Sequence, residues 1–325
     1  MTLVRGPLTD AAVLITGGTG TFGQAFTRRA LTLGVRRLAI LSRDESKQAT
    51  LSATSADPRL RWMIGDVRDP WRLRDACRGI EVLIHAAALK RVESAETNPA
   101  EALLTNTIGT NNVAYAAREA GVRQAVFLST DKACAPNTLY GATKLTAERI
   151  WNAANVYGVG TGTRFASTRY GNVLGSTGSV VPFWRRQLAA REPLSITDLS
   201  MTRFWMTIDA AVDLVLLALT HMQGGETFIP KLGHSNLLDL VLAVAPGRRH
   251  VITGLRPGEK LHETLITEDE ARHTVDAGTH YVIEPEAASW RGDPIVIHPA
   301  VAAGFQYRSD CGPHLTIAQL REMLA

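Results

Sequence analysis

Cysteine is scarce and unpatterned in this chain: Cys77, Cys134 and Cys311 are the only 3, widely spaced and with no CxxC pair. That odd count argues against a disulfide framework or a thiolate zinc site, so no metal is expected, and it fits a reducing compartment. Long apolar runs are missing too. Met1 to Pro7 lacks the hydrophobic stretch of a secretory signal, and the most hydrophobic later segment, Ala210 to Leu219, is interrupted by Asp213. The expectation is a cytoplasmic protein with no membrane partner. Nor is there a basic run: the net charge of +4 comes from scattered residues, and the densest group, Arg185, Arg186 and Arg191, reads as a solvated helix face. Nucleic acid is therefore not an expected partner, although small anions remain compatible. Internal repeats and low-complexity tracts are absent, which leaves solenoid, fibrous and disordered classes without support.

What is present is an ordinary globular composition, 45% hydrophobic and 20% charged over 325 residues, enough for one large or two modest domains. The apolar run Ala11 to Thr16 reads as a strand buried on both faces, followed at once by Gly17-Gly-Thr-Gly20-Thr-Phe-Gly23 and a helical pattern to Leu33. Glycines at 17, 20 and 23 suit a tight turn, close backbone approach to phosphates and close packing of helix on strand, with the helix N-terminus toward a pyrophosphate. A second strand, Arg37 to Leu41, ends in Ser42, Arg43 and Asp44, where a dinucleotide fold meets the adenosine ribose. Ser42 and Arg43 favour NADP, because a guanidinium can hold a 2′-phosphate bidentately. The alternative is a solvated Arg43 and an Asp44 that turns in to select NAD.

A third strand, Arg61 to Val67, offers Asp66 to the adenine amino group, and a fourth, Glu81 to His85, runs into the small residues Ala86, Ala87 and Ala88, which let a cofactor lie close. His85 reads as a packed histidine, and Lys90 as a substrate contact or a solvated lysine. A long helix is expected from Pro99 to Gly121, carrying Asn106 to hold a water, the site loop or the core. A further strand, Gln124 to Ser129, leads into the densest chemistry of the chain: Ser129-Thr-Asp-Lys-Ala-Cys-Ala-Pro-Asn-Thr-Leu-Tyr140-Gly-Ala-Thr-Lys144. Tyr140 and Lys144 share a helix face, and a lysine there can lower a phenol's pKa and make it a usable base. With a strand at Thr163 to Tyr170, the alternation predicts an α/β protein built on a doubly wound parallel sheet. The expected division is a dinucleotide-binding domain over 1–172 and a smaller substrate-binding lobe over 173–325, some of whose elements return to the first. In that lobe the loops bearing Arg203 and Arg256 suit a diphosphate.

With these residues assembled, the chain resembles the extended short-chain dehydrogenases/reductases with their Rossmann domain. Within them it is similar to the soluble UDP-N-acetylglucosamine 4,6-dehydratases. The segments carrying the resemblance are TGGTGTFG (16–23), LSRDESKQ (41–48), GDVRD (65–69), HAAALK (85–90), LSTDKA (128–133), LYGATK (139–144), RYGNV (169–173), MTRF (201–204) and RPGEKLHE (256–263), spread over nearly the whole length. Asp131-Lys132 together with a tyrosine at 140 resembles the type that also inverts C5.

The resemblance implies NADP contacts from Gly17, Thr19, Gly20, Thr21, Phe22, Gly23, Ser42, Arg43, Asp66, Val67, Ala86, Ala87, Ala88, Tyr140 and Lys144. It implies a UDP-sugar substrate met by Lys90, Asn172, Arg203, Arg256 and Glu259, and a homo-oligomer. Catalysis would fall to Thr130, Asp131, Lys132, Tyr140 and Lys144: Tyr140 with Lys144 takes the C4 hydroxyl proton, Thr130 orients that oxygen, a neutral Lys132 takes the C5 proton and a protonated Asp131 donates to the departing C6 hydroxyl. Thr177 departs from the arginine usual in the family. A retaining dehydratase, a nucleotide-sugar 4-epimerase and a non-catalytic NADP-binding regulator remain as alternatives.

Overall fold

The computed structural model describes residues 6–157, 162–286, 290 and 298–325. The first half alternates strand and helix as its sequence pattern requires. β1 (Ala12–Thr16), β2 (Arg37–Ser42), β3 (Leu60–Ile64), β4 (Val82–His85), β5 (Gln124–Leu128) and β6 (Arg164–Thr168) pair in parallel in the order 3-2-1-4-5-6. The order reverses between β1 and β4, and at such a switch point the strand ends part to leave a crevice for a ligand.

Both faces of this sheet are covered, which is why β1 is apolar throughout and not alternating. Val13 and Ile15 pack on one side with Ala25, Phe26 and Ala30 of helix α1 (Thr21–Thr32) and with Val212, Val215 and Leu219 of the helix Ile208–His221. Ala12 and Leu14 pack on the other with Leu73, Val113, Ala147 and Trp151. Asp213, which breaks the apolar run of the helix Ile208–His221, faces outward and pairs with Arg29 at 3.1 Å. No helix among the described residues is long and apolar enough to cross a membrane.

The second half does not stay apart. Thr227–Pro230 adds to β6 in parallel, and His280–Ile283 and Thr274–Asp276 continue the same sheet antiparallel, giving it nine strands among the described residues. The expected division at 172/173 is thus crossed by three strands and by the helix Ile208–His221. The remaining elements form a smaller layer beside the strand ends: Asn172–Val173 and His234–Asn236 flank Thr202–Met206, and Thr264–Ile266 pairs with Tyr307–Arg308. A separate core with Trp184, Leu194, Leu240 and Leu320 supports it.

The expected helix from Pro99 is continuous but changes pitch: Leu103–Ile108 is a π-helical turn between Pro99–Ala102 and Gly109–Glu119. Such a turn re-aims side chains and is frequent beside functional sites. Here it places Asn106, whose amide accepts from the backbone N–H of Leu89 at 2.7 Å and donates to the Leu89 carbonyl at 3.1 Å and Thr143 Oγ1 at 3.0 Å. Of the roles considered for Asn106, the structure selects the one that ties down the loop after β4.

Candidate active site

The ends of β1, β2, β4 and β5 open into a cavity of about 800 Å³. Gly17, Thr19, Gly20, Thr21, Phe22 and Gly23 form one wall, Ser42, Arg43, Asp66 and Val67 lie toward β2 and β3, and Ala86, Ala87, Ala88 and Lys90 follow β4. Gly17 has φ +68°, and a Cβ there would lie 2.8 Å from Ala87 Cα, so glycine is what lets the two walls approach. The first turn of α1 receives no side-chain cap from Gly20, which leaves its N–H groups to face an anion. Both features fit the pyrophosphate of a dinucleotide.

At the ribose end, Ser42 Oγ lies 2.8 Å from Thr19 Oγ1 and Arg43 lines the cavity. Asp44 is spent elsewhere: its carboxylate caps the helix Glu45–Ala53, accepting from the Lys47 N–H at 3.0 Å, and pairs with Lys47 Nζ at 2.9 Å. Asp66 is gripped by Arg68 at 2.6 Å, with Arg43 3.6 Å away; burial works against its ionisation, yet these guanidiniums hold its carboxyl below the usual range. His85 is packed as expected between Thr16 and Thr110, 2.7 and 2.9 Å away, and burial drives it down to about 3, so it stays neutral.

The chemistry gathers where β5 ends. Thr130, Asp131, Lys132, Tyr140 and Lys144 all line the cavity, beside Ser129 and Asn172. Asp131–Ala133 is a single 3-10 turn capped by Thr130, and it presses against the helix Leu139–Tyr157. A Cβ at Gly141 would run into the Lys132 carbonyl, so this glycine sets how closely the turn and the helix meet. Asp131 Oδ1 accepts from Thr130 Oγ1 at 2.9 Å and from Lys132 Nζ at 3.0 Å. Ser129 Oγ, Asp131 Oδ2 and Asn172 Oδ1 are buried without a hydrogen-bond partner among the described residues, an arrangement that suits a polar ligand.

Two electrostatic expectations are corrected. Tyr140 is not a lowered phenol in this structure: burial pushes it up to about 12, with Lys132 and a hydrogen bond from Thr130 pulling only partly the other way. Lys144 donates to the Leu128 carbonyl at 2.7 Å with Nζ 3.8 Å from the centre of the Phe127 ring, and burial brings it down to about 7. Lys132 is not neutral either. Burial favours the free amine, but the carboxylates of Asp131 and Glu263 outweigh it and hold Lys132 cationic, its pKa above the ordinary value.

Three residues expected at the substrate do not line the cavity. Arg256 lies in an exposed loop, paired with Glu93 at 2.9 Å, and Glu259 accepts from the Arg256 N–H at 2.9 Å, so both are taken up in fixing that loop. Arg203 is buried behind the site, donating to the carbonyls of Thr202, Leu261 and Lys260 at 2.7, 3.1 and 3.0 Å. Lys90 and Asn172 do line the cavity, and burial lowers the pKa of Lys90. Thr177 meets Thr21 across the mouth, Oγ1 to Oγ1 at 3.0 Å.

The residue that sequence reasoning missed is Glu263. Its carboxylate is buried 3.3 Å from Lys132 Nζ and 3.8 Å from Arg203 Nε. It ends the RPGEKLHE segment, and nothing local marked it as belonging with a lysine so far upstream.

Comparison with known proteins agrees with this geometry. The model of a family described as polysaccharide biosynthesis protein matches residues 13–285. A Campylobacter jejuni protein named UDP-N-acetylglucosamine 4,6-dehydratase (inverting) is 44% identical over 310 residues, 93% of each chain. A Rickettsia bellii protein named UDP-glucose 4-epimerase is 38% identical over 282 residues, 84% of this chain and 83% of its own. Among solved structures, Pen from Bacillus thuringiensis superposes with a TM-score of 0.90 at 36% identity, covering 98% of both chains.

Proposed function

The chain belongs to the polysaccharide biosynthesis protein family, and from that premise we propose that it is a UDP-N-acetylglucosamine 4,6-dehydratase that inverts C5. The observation that carries the reading is the direct contact of Asp131 and Lys132, 3.0 Å apart, on the same cavity as Thr130, Tyr140 and Lys144. A C4 oxidation alone needs the latter three; a second acid and base beside them serve an elimination.

A nicotinamide dinucleotide held by the Gly17–Gly23 turn, Ser42, Asp66 and Ala86–Ala88 would supply the chemistry that a hexose lacks, accepting a hydride from C4 and returning it to C6. The chain's own part begins at Tyr140, whose phenolate takes the C4 hydroxyl proton while Thr130 orients that oxygen. Because burial raises the phenol, Tyr140 rests protonated, and its own proton must pass to the free amine of Lys144 on arrival of substrate before the phenolate can take the one on the C4 hydroxyl. Lys144, brought down to about 7 by burial, lies close to neutrality and can pass a proton in either direction.

With C4 a ketone, the C5 proton is acidic enough to remove. One proton shift along the 3.0 Å Lys132 Nζ to Asp131 Oδ1 contact turns the ion pair into an amine and a carboxylic acid. The amine takes the C5 proton, the acid protonates the C6 hydroxyl, and water leaves as the C5–C6 double bond forms. The ion pair is thereby restored, so the elimination costs the site no net charge. As the hydride would return to C6, a proton equivalent to the one Tyr140 took from the C4 hydroxyl returns to C5 from the opposite face, and Lys144 gives the phenolate back its own, so the cycle closes with no net proton.

NADP is the dinucleotide the site favours, because Arg43 faces the cavity while Asp44 is engaged as a helix cap. Arg43→Ala should weaken NADP binding roughly tenfold or more, about 1.4 kcal/mol for each factor of ten, and leave NAD binding unchanged. Equal loss for both would count against it.

The reading is tested by incubation with UDP-N-acetylglucosamine in deuterated water, followed by NMR. A 6-deoxy-4-ketose with deuterium at C5 and inverted coupling is expected, and Lys132→Ala should abolish it while the dinucleotide still binds. Unchanged sugar would undo the reading. The likeness to a protein named UDP-glucose 4-epimerase favours a second one, epimerisation at C4, which predicts a product of unchanged mass with no water lost.

A further inference from the structure

We propose that Glu263 is a positioning residue for the elimination: Arg203 and Lys132 hold it as the standing carboxylate of the site, which leaves Asp131 as the carboxyl that carries the transferable proton. The inference rests on the dehydratase reading for its use, but on geometry for its substance.

Two buried carboxyls share one lysine. Lys132 Nζ lies 3.0 Å from Asp131 Oδ1 and 3.3 Å from Glu263 Oε1, and the two side chains are 1% and 3% exposed. Two anions cannot both be sustained by a single cation out of water, so one carboxyl takes a proton more readily than the other. Which one is decided by the second cation. Arg203 Nε is 3.8 Å from Glu263 Oε1. Its donations to the carbonyls of Thr202, Leu261 and Lys260 lock the guanidinium on the Glu263 side. Lys260, which donates to the Cys134 carbonyl at 2.8 Å, adds positive charge on that side as well.

Among the described residues Asp131 has no such support beyond Lys132 and the Thr130 hydroxyl, and the Tyr140 phenol also faces the pair. The directions follow this placement. Burial raises Asp131, with the charge of Glu263 adding to it. Burial would raise Glu263 too, but Lys132, Arg203 and Lys260 together bring it below the usual range.

The asymmetry has a geometric use, because Asp131 lines the cavity and Glu263 does not. The proton therefore sits on the carboxyl that can reach a C6 oxygen. Lys132 gives its proton to Asp131 while Glu263 stays ionised beside the forming amine; the amine then takes the C5 proton and Asp131 protonates the departing hydroxyl. Glu263 begins and ends the cycle as a carboxylate and exchanges no atom with the substrate. Arg203, expected at a diphosphate, serves instead to fix this neighbour.

The test combines a spectroscopic titration with kinetics on the full-length chain. The infrared band of the protonated Asp131 carboxyl, identified by its loss in Asp131→Asn, is titrated in the wild type and in Glu263→Gln. The midpoint should fall by a unit or more in Glu263→Gln, because the anion that raised it is gone. In the same variant kcat for water loss from UDP-N-acetylglucosamine should drop tenfold or more with KM little changed and with C4 oxidation, read as reduced-nicotinamide absorbance, retained. Glu263→Asp, which keeps the charge, should recover much of the rate. An unmoved midpoint overturns the inference even if the rate falls, since a purely structural role would slow turnover without shifting Asp131. If Glu263→Gln does not fold, Arg203→Lys carries the same test: loosening the cation lets Glu263 compete for the proton, and the Asp131 midpoint should again fall. A wild type that loses no water from any UDP-sugar, yet whose midpoint moves in Glu263→Gln, would refute the dehydratase reading and leave the charge asymmetry standing.

Discussion

Replacing Lys132 with methionine keeps the length of the side chain and removes its charge. The two carboxylates it joins, Asp131 and Glu263, are 1% and 3% exposed and cannot turn to water. Stranding a buried charge by deleting its partner costs about 3–5 kcal/mol, and the lower end applies because Lys132 itself is 29% exposed. We therefore expect Lys132→Met to be destabilised by about 3 kcal/mol at pH 8. The loss should depend on pH in a definite direction. Asp131 already has a raised pKa in the folded chain, and without Lys132 it rises further. Over the window between its unfolded and folded pKa the native state binds one more proton than the unfolded chain, so stability falls as pH rises and returns as pH is lowered. The slope is about 1.4 kcal/mol per pH unit where that extra proton is fully held. Urea unfolding of wild type and variant at pH 8, 7 and 6 reads the difference directly, with equal slopes in denaturant as the check on two-state behaviour. The reasoning fails if the gap between the two proteins is constant across that range, or if it widens on acidification.

Two further outcomes are expected of the surrounding scaffold. Arg169, 1% exposed, joins Glu148 at 2.5 Å and Glu270 at 2.8 Å, so Arg169→Ala should cost about 3–5 kcal/mol in urea unfolding, far more than removing Arg78 from its exposed pair with Asp75. Gly141→Ala should push the Lys132 carbonyl and its turn away from the helix, lowering kcat for water loss at least tenfold while the circular dichroism spectrum stays native; wild-type turnover would show that the turn can give way at no cost.

The nucleotide half was legible because its signals are local. A buried strand, a glycine turn and a helix follow one another within Ala12–Thr32, and Ser129 to Lys144 brings the reactive side chains together by a turn and one helix, without long-range closure. Spacing alone placed Tyr140 and Lys144 on one face. It could not show that Lys144 Nζ is claimed by the Leu128 carbonyl of the neighbouring strand, nor that burial lifts the phenol. The resting charge of Lys132 was hidden for a related reason, since it depends on Glu263, a residue far along the chain whose segment is tied to Thr202 and Ser309. Arg203 and Arg256 were read as loop arginines suited to a diphosphate, but Arg203 lies on the strand Thr202–Met206 and turns to backbone carbonyls, a direction that residue type alone does not give. Which elements of the second half make the return to the first sheet, Thr227–Pro230 and His280–Ile283 among them, was equally hidden, because strand partners distant in sequence leave no local trace.

That return has a consequence for how the molecule is made. Until Thr227–Pro230 arrives, β6 is the open margin of a sheet whose other five strands are complete, a row of unpaired amides beside the strand that leads into the Asp131–Ala133 turn. At about 5–20 residues per second, translation from Thr168 to Thr227 leaves that margin uncovered for roughly 3–12 s. The nascent chain then offers neighbouring polypeptides a ready template, so aggregation during synthesis should be governed by how fast the ribosome moves through this interval more than by the stability of the finished enzyme.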